Sequence, residues 1–383
     1  MAKKNLIVGQ SGGPTAVSNS SLYGVVSEGL SHPDTIEHVY GMVNGIEGFL
    51  NDCILDFEEA LPGEDLNGLK STPGAYLGSC RYKLPESLED PVCPALFKKF
   101  EELNIGWFFY IGGNDSMDTV SKLSRYAEHI GSSIRVIGEP KTIDNDLALT
   151  DHTPGFGSAA KYIAASIKEI IRDGLGLVYQ KKMVTIVEIM GRNAGWLTGS
   201  SALAKAEDCA GPDLIYLPEL PFDPEKFMSR VRKLLERKNS VVIAVSEGIK
   251  LKDGRYVCEL AQAPGGVDAF GHRHLTGTAS YLAALVSHEE GCKTRGIELS
   301  TLQRSASHMA SRVDINEAFM VGGAAVKAAD EGDSGRMVVI DRVSDNPYQC
   351  ATGVYDVHKI ANDEKLVPRS WITRDGTYVT EEF

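Results

Sequence analysis

Short apolar runs ending in glycine or small polar residues recur along this chain, and helical patterns alternate with them. Leu6-Ile7-Val8 predicts a buried strand, and Gly9-Gln10-Ser11-Gly12-Gly13-Pro14-Thr15 follows it. Val17, Leu22, Val25, Val26 and Leu30 then fall roughly on one face of a helix, with Thr15 or Ser18 as its expected cap. Strand, glycine turn and helix together are the opening unit of a doubly wound sheet. The unit returns at 107–111, where Gly112-Gly113 precede a helix from about Met117, and at 135–138 ahead of Lys141. Runs at 184–190, 214–217 and 240–245 lead into Gly191-Arg192, Pro218-Glu219 and Ser246-Glu247-Gly248. A loop over 151–157 precedes a helix carrying Ile163, Ile167, Ile170 and Ile171, which Gly174 is expected to end. Asp253-Gly254 reads as a hairpin turn, followed to residue 275 by a glycine- and histidine-rich loop.

Polar and glycine residues thus gather after the carboxyl ends of strands, where open α/β sheets bind ligands. At 383 residues the chain exceeds one ordinary core, which predicts two lobes of one enzyme. A net charge of −13 argues against nucleic acid or an anionic membrane as main partner, so an anionic substrate needs a local basic pocket. The seven cysteines are scattered without a CxxC pair, which suggests reduced thiols and no structural zinc. The N-terminus lacks the apolar stretch of a signal peptide and no run approaches a membrane span, so a soluble, cytoplasmic protein is expected.

Chemistry concentrates in a few turns. Gly12-Gly13 reads either as a tight turn or as a place where backbone N–H groups approach a phosphate; it is not a Walker A loop, since no Lys-Ser/Thr follows. Gly112-Gly113-Asn114-Asp115-Ser116 could simply cap a helix, but a second glycine pair at a second strand end suggests one phosphate-bearing ligand spanning both turns. Pro140-Lys141-Thr142-Ile143-Asp144-Asn145-Asp146 combines a cation with two acids, an unusual choice for a turn leaving a buried strand. Phosphoryl transfer needs that mixture: a cation for the donor, an acid for metal, and a carboxylate base for the accepting hydroxyl. Arg192, Glu247, Arg295 and Arg304 add ionic groups after other strands, although each alone could be an ordinary surface residue. His272, His274 and His308 lack a convincing metal spacing.

The ordered series Gly12-Gly13, Gly-Ser-Cys-Arg at 78–81, GGNDS, PKTIDND, MGR, SEG and Gln303-Arg304 resembles the phosphofructokinase A family over nearly the whole chain. The resemblance implies two Rossmann-like, three-layer α/β lobes with largely parallel sheets and the active site in the cleft between them. It places a donor-binding lobe at 1–150, completed by segments after about 300, a sugar-binding lobe at 151–300, and a C-terminal extension at 345–383. It implies phosphoryl transfer to the 1-hydroxyl of fructose 6-phosphate with Mg2+, in a homodimer or homotetramer. Asp144 then matches the general base, with Thr142 and Ile143 on the same substrate and Asp146 near the metal. Met190, Gly191 and Arg192 match the segment that binds the sugar phosphate and steadies the transferring group, and Glu247 matches the acceptor of a sugar hydroxyl. Arg304 and Arg295 match the phosphate clamp, Arg295 reaching a neighbouring subunit's site, and Thr301 beside them is placed with the substrate-binding residues. Gly12, Gly13, Arg81, Gly113 and Ser116 match donor contacts, and Asn114 the metal position.

Two residues bear on the donor. ATP-using members of the family have glycine where this chain has Asp115 and Lys141. A carboxylate at ~4 Å from an ATP α-phosphate costs about 4 kcal/mol at an effective dielectric of 20. Lys141 instead suits a compact, highly charged pyrophosphate. The pair is the pattern of the pyrophosphate-dependent members, with an ATP-dependent kinase and a non-catalytic sugar-phosphate sensor as rivals. Three departures stand out: Asn114 replaces the usual metal-ordering aspartate, Thr301 replaces a larger His or Tyr, and Met183 replaces an intersubunit arginine of ATP enzymes, with Lys182 beside it as a possible substitute.

Overall fold

The computed structural model describes residues 3–60, 66–87, 89–177, 181–260, 275–361 and 363–383. His272, His274 and the loop from residue 261 to 274 lie outside the described residues. The strands are β1 (Lys4–Gln10), β2 (Ile36–Met42), β3 (Ile54–Asp56), β4 (Ile105–Gly112), β5 (Arg135–Pro140), β6 (Met183–Ile189), β7 (Leu214–Tyr216), β8 (Ser240–Ser246), β9 (Lys293–Glu298), β10 (Arg336–Asp345) and β11 (Tyr348–Asp356). The longer helices are α1 (Ser18–Leu30), α2 (Val92–Glu102), α3 (Asn114–Ile130), α4 (Phe156–Leu177), α5 (Pro224–Leu235), α6 (Thr278–Glu290) and α7 (Arg312–Asp330).

The chain divides into two compact units: 1–143, 147–158 and 310–364 in the first, 144–146, 159–309 and 365–383 in the second. The segment expected as an extension at 345–383 is therefore shared, its last part going to the second unit.

In the first unit a seven-stranded sheet has the order β11-β10-β5-β4-β1-β2-β3. Its central pairs are parallel, while β3 and β11 run antiparallel at the edges. Alternate residues of the strands serve two cores, as a period of two requires. Leu6, Val8, Phe109, Ile111 and Ile137 pack with Leu22, Val25 and Val26 of α1 and Val321 and Ala325 of α7. Ile7, Phe108, Tyr110 and Val136 pack with Phe97 and Phe100 of α2 and Val120 and Leu123 of α3.

In the second unit β7-β8-β6-β9 is wholly parallel. β6 is buried along its length, Thr185 and Glu188 included, which explains why its other residues are apolar. Val184, Ile186, Val241, Ile243 and Val245 pack with Phe227 and Val231 of α5 and Leu282 and Val286 of α6. The expected class, α/β with two largely parallel sheets, is borne out.

Three local expectations change. α1 is preceded by Val17 and carries no side-chain cap; the Thr15 hydroxyl instead accepts the Val17 N–H at 3.2 Å. α3 starts at Asn114, not Met117, so the Asn-Asp-Ser stretch is the helix's first turn. α4 runs past Gly174 to Leu177. A Cβ at Gly174 would come within 2.8 Å of the Ser240 hydroxyl, so this glycine serves close packing, not termination. No described helix is long and apolar enough to cross a membrane.

Candidate active site

In the first unit, adjacent parallel strands β1 and β4 end side by side, with Gln10 opposite Ile111. Their two glycine turns are therefore neighbours. Ser11 N–H donates to the Ile111 carbonyl at 2.9 Å, and Gly12 N–H to the Cys80 carbonyl at 3.2 Å. The latter contact places the exposed Arg81 next to the first turn. Gly112 admits no side chain: a Cβ there would lie 1.9 Å from the Ser116 hydroxyl. Gly113 precedes α3, so Asn114, Asp115 and buried Ser116 stand where a helix N-terminus concentrates partial positive charge.

Lys141 links the two turns. It is 3% exposed. Its N–H donates to the Gly112 carbonyl at 2.9 Å, while its ammonium donates to the carbonyls of Ser11 at 2.7 Å and Gly13 at 2.6 Å. The cation is thus a strut beneath the first glycine turn, a role its position in the sequence did not disclose. Next to it, the Thr142 carbonyl accepts the Thr153 hydroxyl at 2.7 Å and Thr142 bridges Gly155; Ile143 is buried.

In the second unit the Asp144-Asn145-Asp146 turn is held by Lys365, which no sequence motif marks. Asn145 has φ of 55°, its side-chain oxygen accepts the Lys365 ammonium at 3.2 Å, and the Asp146 carbonyl accepts the Lys365 N–H at 2.7 Å. The ends of β6 and β8 supply the remaining groups. Met190 N–H donates to the Gln303 side chain at 3.1 Å, which ties the MGR turn to the LQR segment. Ser246 donates to the Gly191 carbonyl at 2.5 Å, and Glu247 N–H to the Ile189 carbonyl at 2.9 Å. Loss of water pushes the Glu247 carboxyl up to about 8, with Asp144 and Glu188 adding repulsion and Gly191 N–H and Arg192 partly offsetting it. Asp144, Gly191, Arg192 and Glu247 thus share one electrostatic environment. Glu188, also missed, is pushed up to about 7 by burial despite the Ala279 N–H at 2.8 Å.

The other predicted cations differ in placement. Arg304 is partly buried in the short helix Leu302–Ser305, directly after Gln303, and Thr301 precedes that helix exposed. Arg295 sits apart from this group: it pairs with Thr185 in the sheet, about 16 Å back along β6 from Met190 at ~3.3 Å per residue. It lies 3.4 Å from Asp173 and lines a cavity of about 220 Å³ with Met183 and Glu169. The one group of three metal-capable side chains among the described residues, His38, Asp56 and Glu58, lies on elements that carry no predicted site residue.

The family model for phosphofructokinase matches residues 5–329. The chain belongs to the phosphofructokinase family. A pyrophosphate--fructose 6-phosphate 1-phosphotransferase of Xanthomonas campestris pv. campestris is 42% identical over 382 residues, covering 100% of this chain and 90% of the relative. Another so named, from Halomonas elongata, is 39% identical with the same coverage. The crystal structure of a pyrophosphate-dependent phosphofructokinase from Nitrosospira multiformis superimposes with a TM-score of 0.89 at 36% identity, covering 100% of this chain and 90% of that one. The resemblance read from the motifs is therefore borne out, and the names of these relatives agree with the donor expected from Asp115 and Lys141.

Proposed function

We propose that this phosphofructokinase transfers a phosphoryl group reversibly from pyrophosphate to the 1-hydroxyl of fructose 6-phosphate, releasing phosphate and fructose 1,6-bisphosphate. The observation that carries the reading is Lys141, whose ammonium is fixed beneath the Ser11–Gly13 turn while Asp115 occupies the first turn of α3. A buried cation under a glycine turn favours a small polyanion. A carboxylate in the neighbouring helix turn opposes the α-phosphate of a nucleotide.

Donor contacts fall to Gly12, Gly13, Arg81, Gly113 and Ser116 of the first unit. Acceptor contacts fall to Thr142, Ile143, Asp144, Met190, Gly191, Arg192, Glu247, Thr301 and Arg304. Asp144 takes the proton of the 1-hydroxyl as its oxygen bonds to phosphorus and the bridging P–O bond breaks; the electron pair leaves on phosphate. Glu247, whose carboxyl is pushed up to about 8 by burial and by Asp144 and Glu188, meets a sugar hydroxyl, so the two carboxyls take different roles. Arg192 steadies the charge on the transferring group.

Asn114 and Asp115 offer an amide oxygen and a carboxylate, the hard donors that suit Mg2+, yet too few to enclose it without water and substrate oxygens. Asn114 would hold the ion, which when bound neutralises pyrophosphate charge. Arg295, facing a surface cavity with Met183, is assigned to a neighbouring subunit's sugar-phosphate site in a homodimer or homotetramer. A cytoplasmic location completes the reading. Asp144→Ala is expected to lower kcat at least a hundredfold while fructose 6-phosphate still binds; full turnover in this variant would refute the assigned base.

A further inference from the structure

The loop at 151–157 contains a histidine that the reaction does not use. Both ring nitrogens of His152 face carboxylates: Nδ1 lies 2.7 Å from Asp151 and Nε2 lies 2.8 Å from Glu317 of α7. A neutral imidazole has one N–H, and each carboxylate only accepts, so both contacts are made only by the imidazolium. Each carboxylate is itself anchored. Asp151 takes two hydrogen bonds at 3.0 Å from the Arg342 guanidinium of β10, which also meets Asp345 at 3.1 Å. Glu317 accepts the Tyr348 hydroxyl of β11 and lies beside Cys350. Asp314, one helical turn before Glu317, receives the N–H groups of Gly155 at 2.8 Å and Ser158 at 2.9 Å. The loop is thus fastened to α7, β10 and β11 at successive residues, and Asp151 N–H adds a bond to the Ile340 carbonyl at 2.9 Å.

This loop is the backing of the reactive stretch. Thr153, the residue after His152, donates its hydroxyl to the Thr142 carbonyl, and Gly155 bridges Thr142. Thr142 stands two residues before the assigned base.

We propose that His152 is a positioning residue for phosphoryl transfer, holding the 150–155 loop, and through Thr153 the Thr142 carbonyl, in register while its ring is doubly protonated. The proposal rests on the reading of Thr142 to Asp144 as catalytic. Burial works against the ring's charge, but the hydrogen bonds and charges of Glu317 and Asp151 outweigh it and push His152 above its ordinary 6.5. Asp151 and Glu317 are held low by Arg342, His152 and Tyr348 in spite of their burial. Deprotonation turns one of the two contacts into lone pair against lone pair and frees one end of the clamp.

The test compares His152→Gln with wild type across a pH series from about 6 to about 10, a range that brackets a raised histidine. At the acid end kcat is expected to fall roughly tenfold in the variant, within the cost of misplacing a reacting group from a distance, while both KM values stay within about twofold. The ratio of wild-type to variant kcat should shrink toward one as pH rises and wild-type His152 loses its proton. A ratio independent of pH, or a kcat unchanged throughout, overturns the proposal, even with a lowered melting temperature. If His152→Gln does not fold, Glu317→Gln decides. It keeps an acceptor for Nε2 but removes the charge, so the alkaline fall of kcat should move to lower pH; an unmoved profile overturns the proposal. Asp144→Ala, assayed alongside, separates the levels. Loss of turnover there with His152→Gln unaffected rejects only the positioning role, whereas full turnover rejects the catalytic reading and the proposal with it.

Discussion

Replacing Lys141 by methionine keeps an unbranched side chain of similar reach and removes the ammonium. Two carbonyls, those of Ser11 and Gly13, then lose donors at 2.7 and 2.6 Å in a site that is 3% exposed. Hydrogen bonds to a charged group contribute about 1.5–3 kcal/mol each. Removing the cation also relieves its own burial cost, so the lower end of the sum, about 3 kcal/mol, is the reasonable figure. If that loss appears in the transition state it lowers kcat/KM for pyrophosphate roughly 150-fold. The KM for fructose 6-phosphate should stay within about twofold, because the acceptor contacts assigned to Asp144, Arg192 and Glu247 are untouched. Steady-state kinetics with each substrate varied in turn, beside a thermal melt, read both effects. A folded Lys141→Met protein retaining kcat/KM for pyrophosphate within about fivefold would refute the strut and the donor role together.

Asp115→Gly alone is the cleaner probe of nucleotide exclusion, because changing Lys141 as well dismantles the turn it supports. ATP-dependent kcat/KM should rise at least tenfold in that variant, given about 4 kcal/mol of like-charge repulsion, and no gain would remove the blocking role. Glu139 offers a test by stability. It is fully buried on β5 beside the reactive segment, neither oxygen has a hydrogen-bond partner among the described residues, and burial pushes its carboxyl well above the ordinary 4.5. Because the folded state keeps a proton that the unfolded state has lost, stability falls as pH rises from the unfolded value toward the folded one. Glu139→Leu should therefore melt a few degrees higher than wild type near pH 8, with the difference shrinking toward pH 5. A variant that melts lower at both pH values would contradict this.

Much of the fold was legible because parallel strands buried on both faces are mostly apolar, and glycine turns mark their ends. β1, β4, β5, β6, β7 and β8 all lie where such runs stand. The hairpin of β10 and β11 escaped notice because β11 is only partly buried and its alternation is weak. The start of α3 at Asn114 is not marked in the sequence, because Asn114, Asp115 and Ser116 favour turns as readily as the first turn of a helix. The site was legible where chemistry needs a rare combination, as in Lys141 with Asp144 and Asp146. It was not legible where a residue acts by distant hydrogen bonds. Lys365 reaches Asn145 across 220 positions, Gln303 reaches Met190 across 113, and Glu317 reaches His152 across 165. No local pattern encodes such pairs; only the folded backbone brings them together.

The central claim is the choice of donor, and parallel initial rates with pyrophosphate and with ATP, on fructose 6-phosphate and Mg2+, test it most directly. Asp115 and Lys141 lead to rapid turnover with pyrophosphate and at least a hundredfold lower kcat/KM with ATP, as about 4 kcal/mol of repulsion requires. Strong activity with ATP and none with pyrophosphate would contradict it.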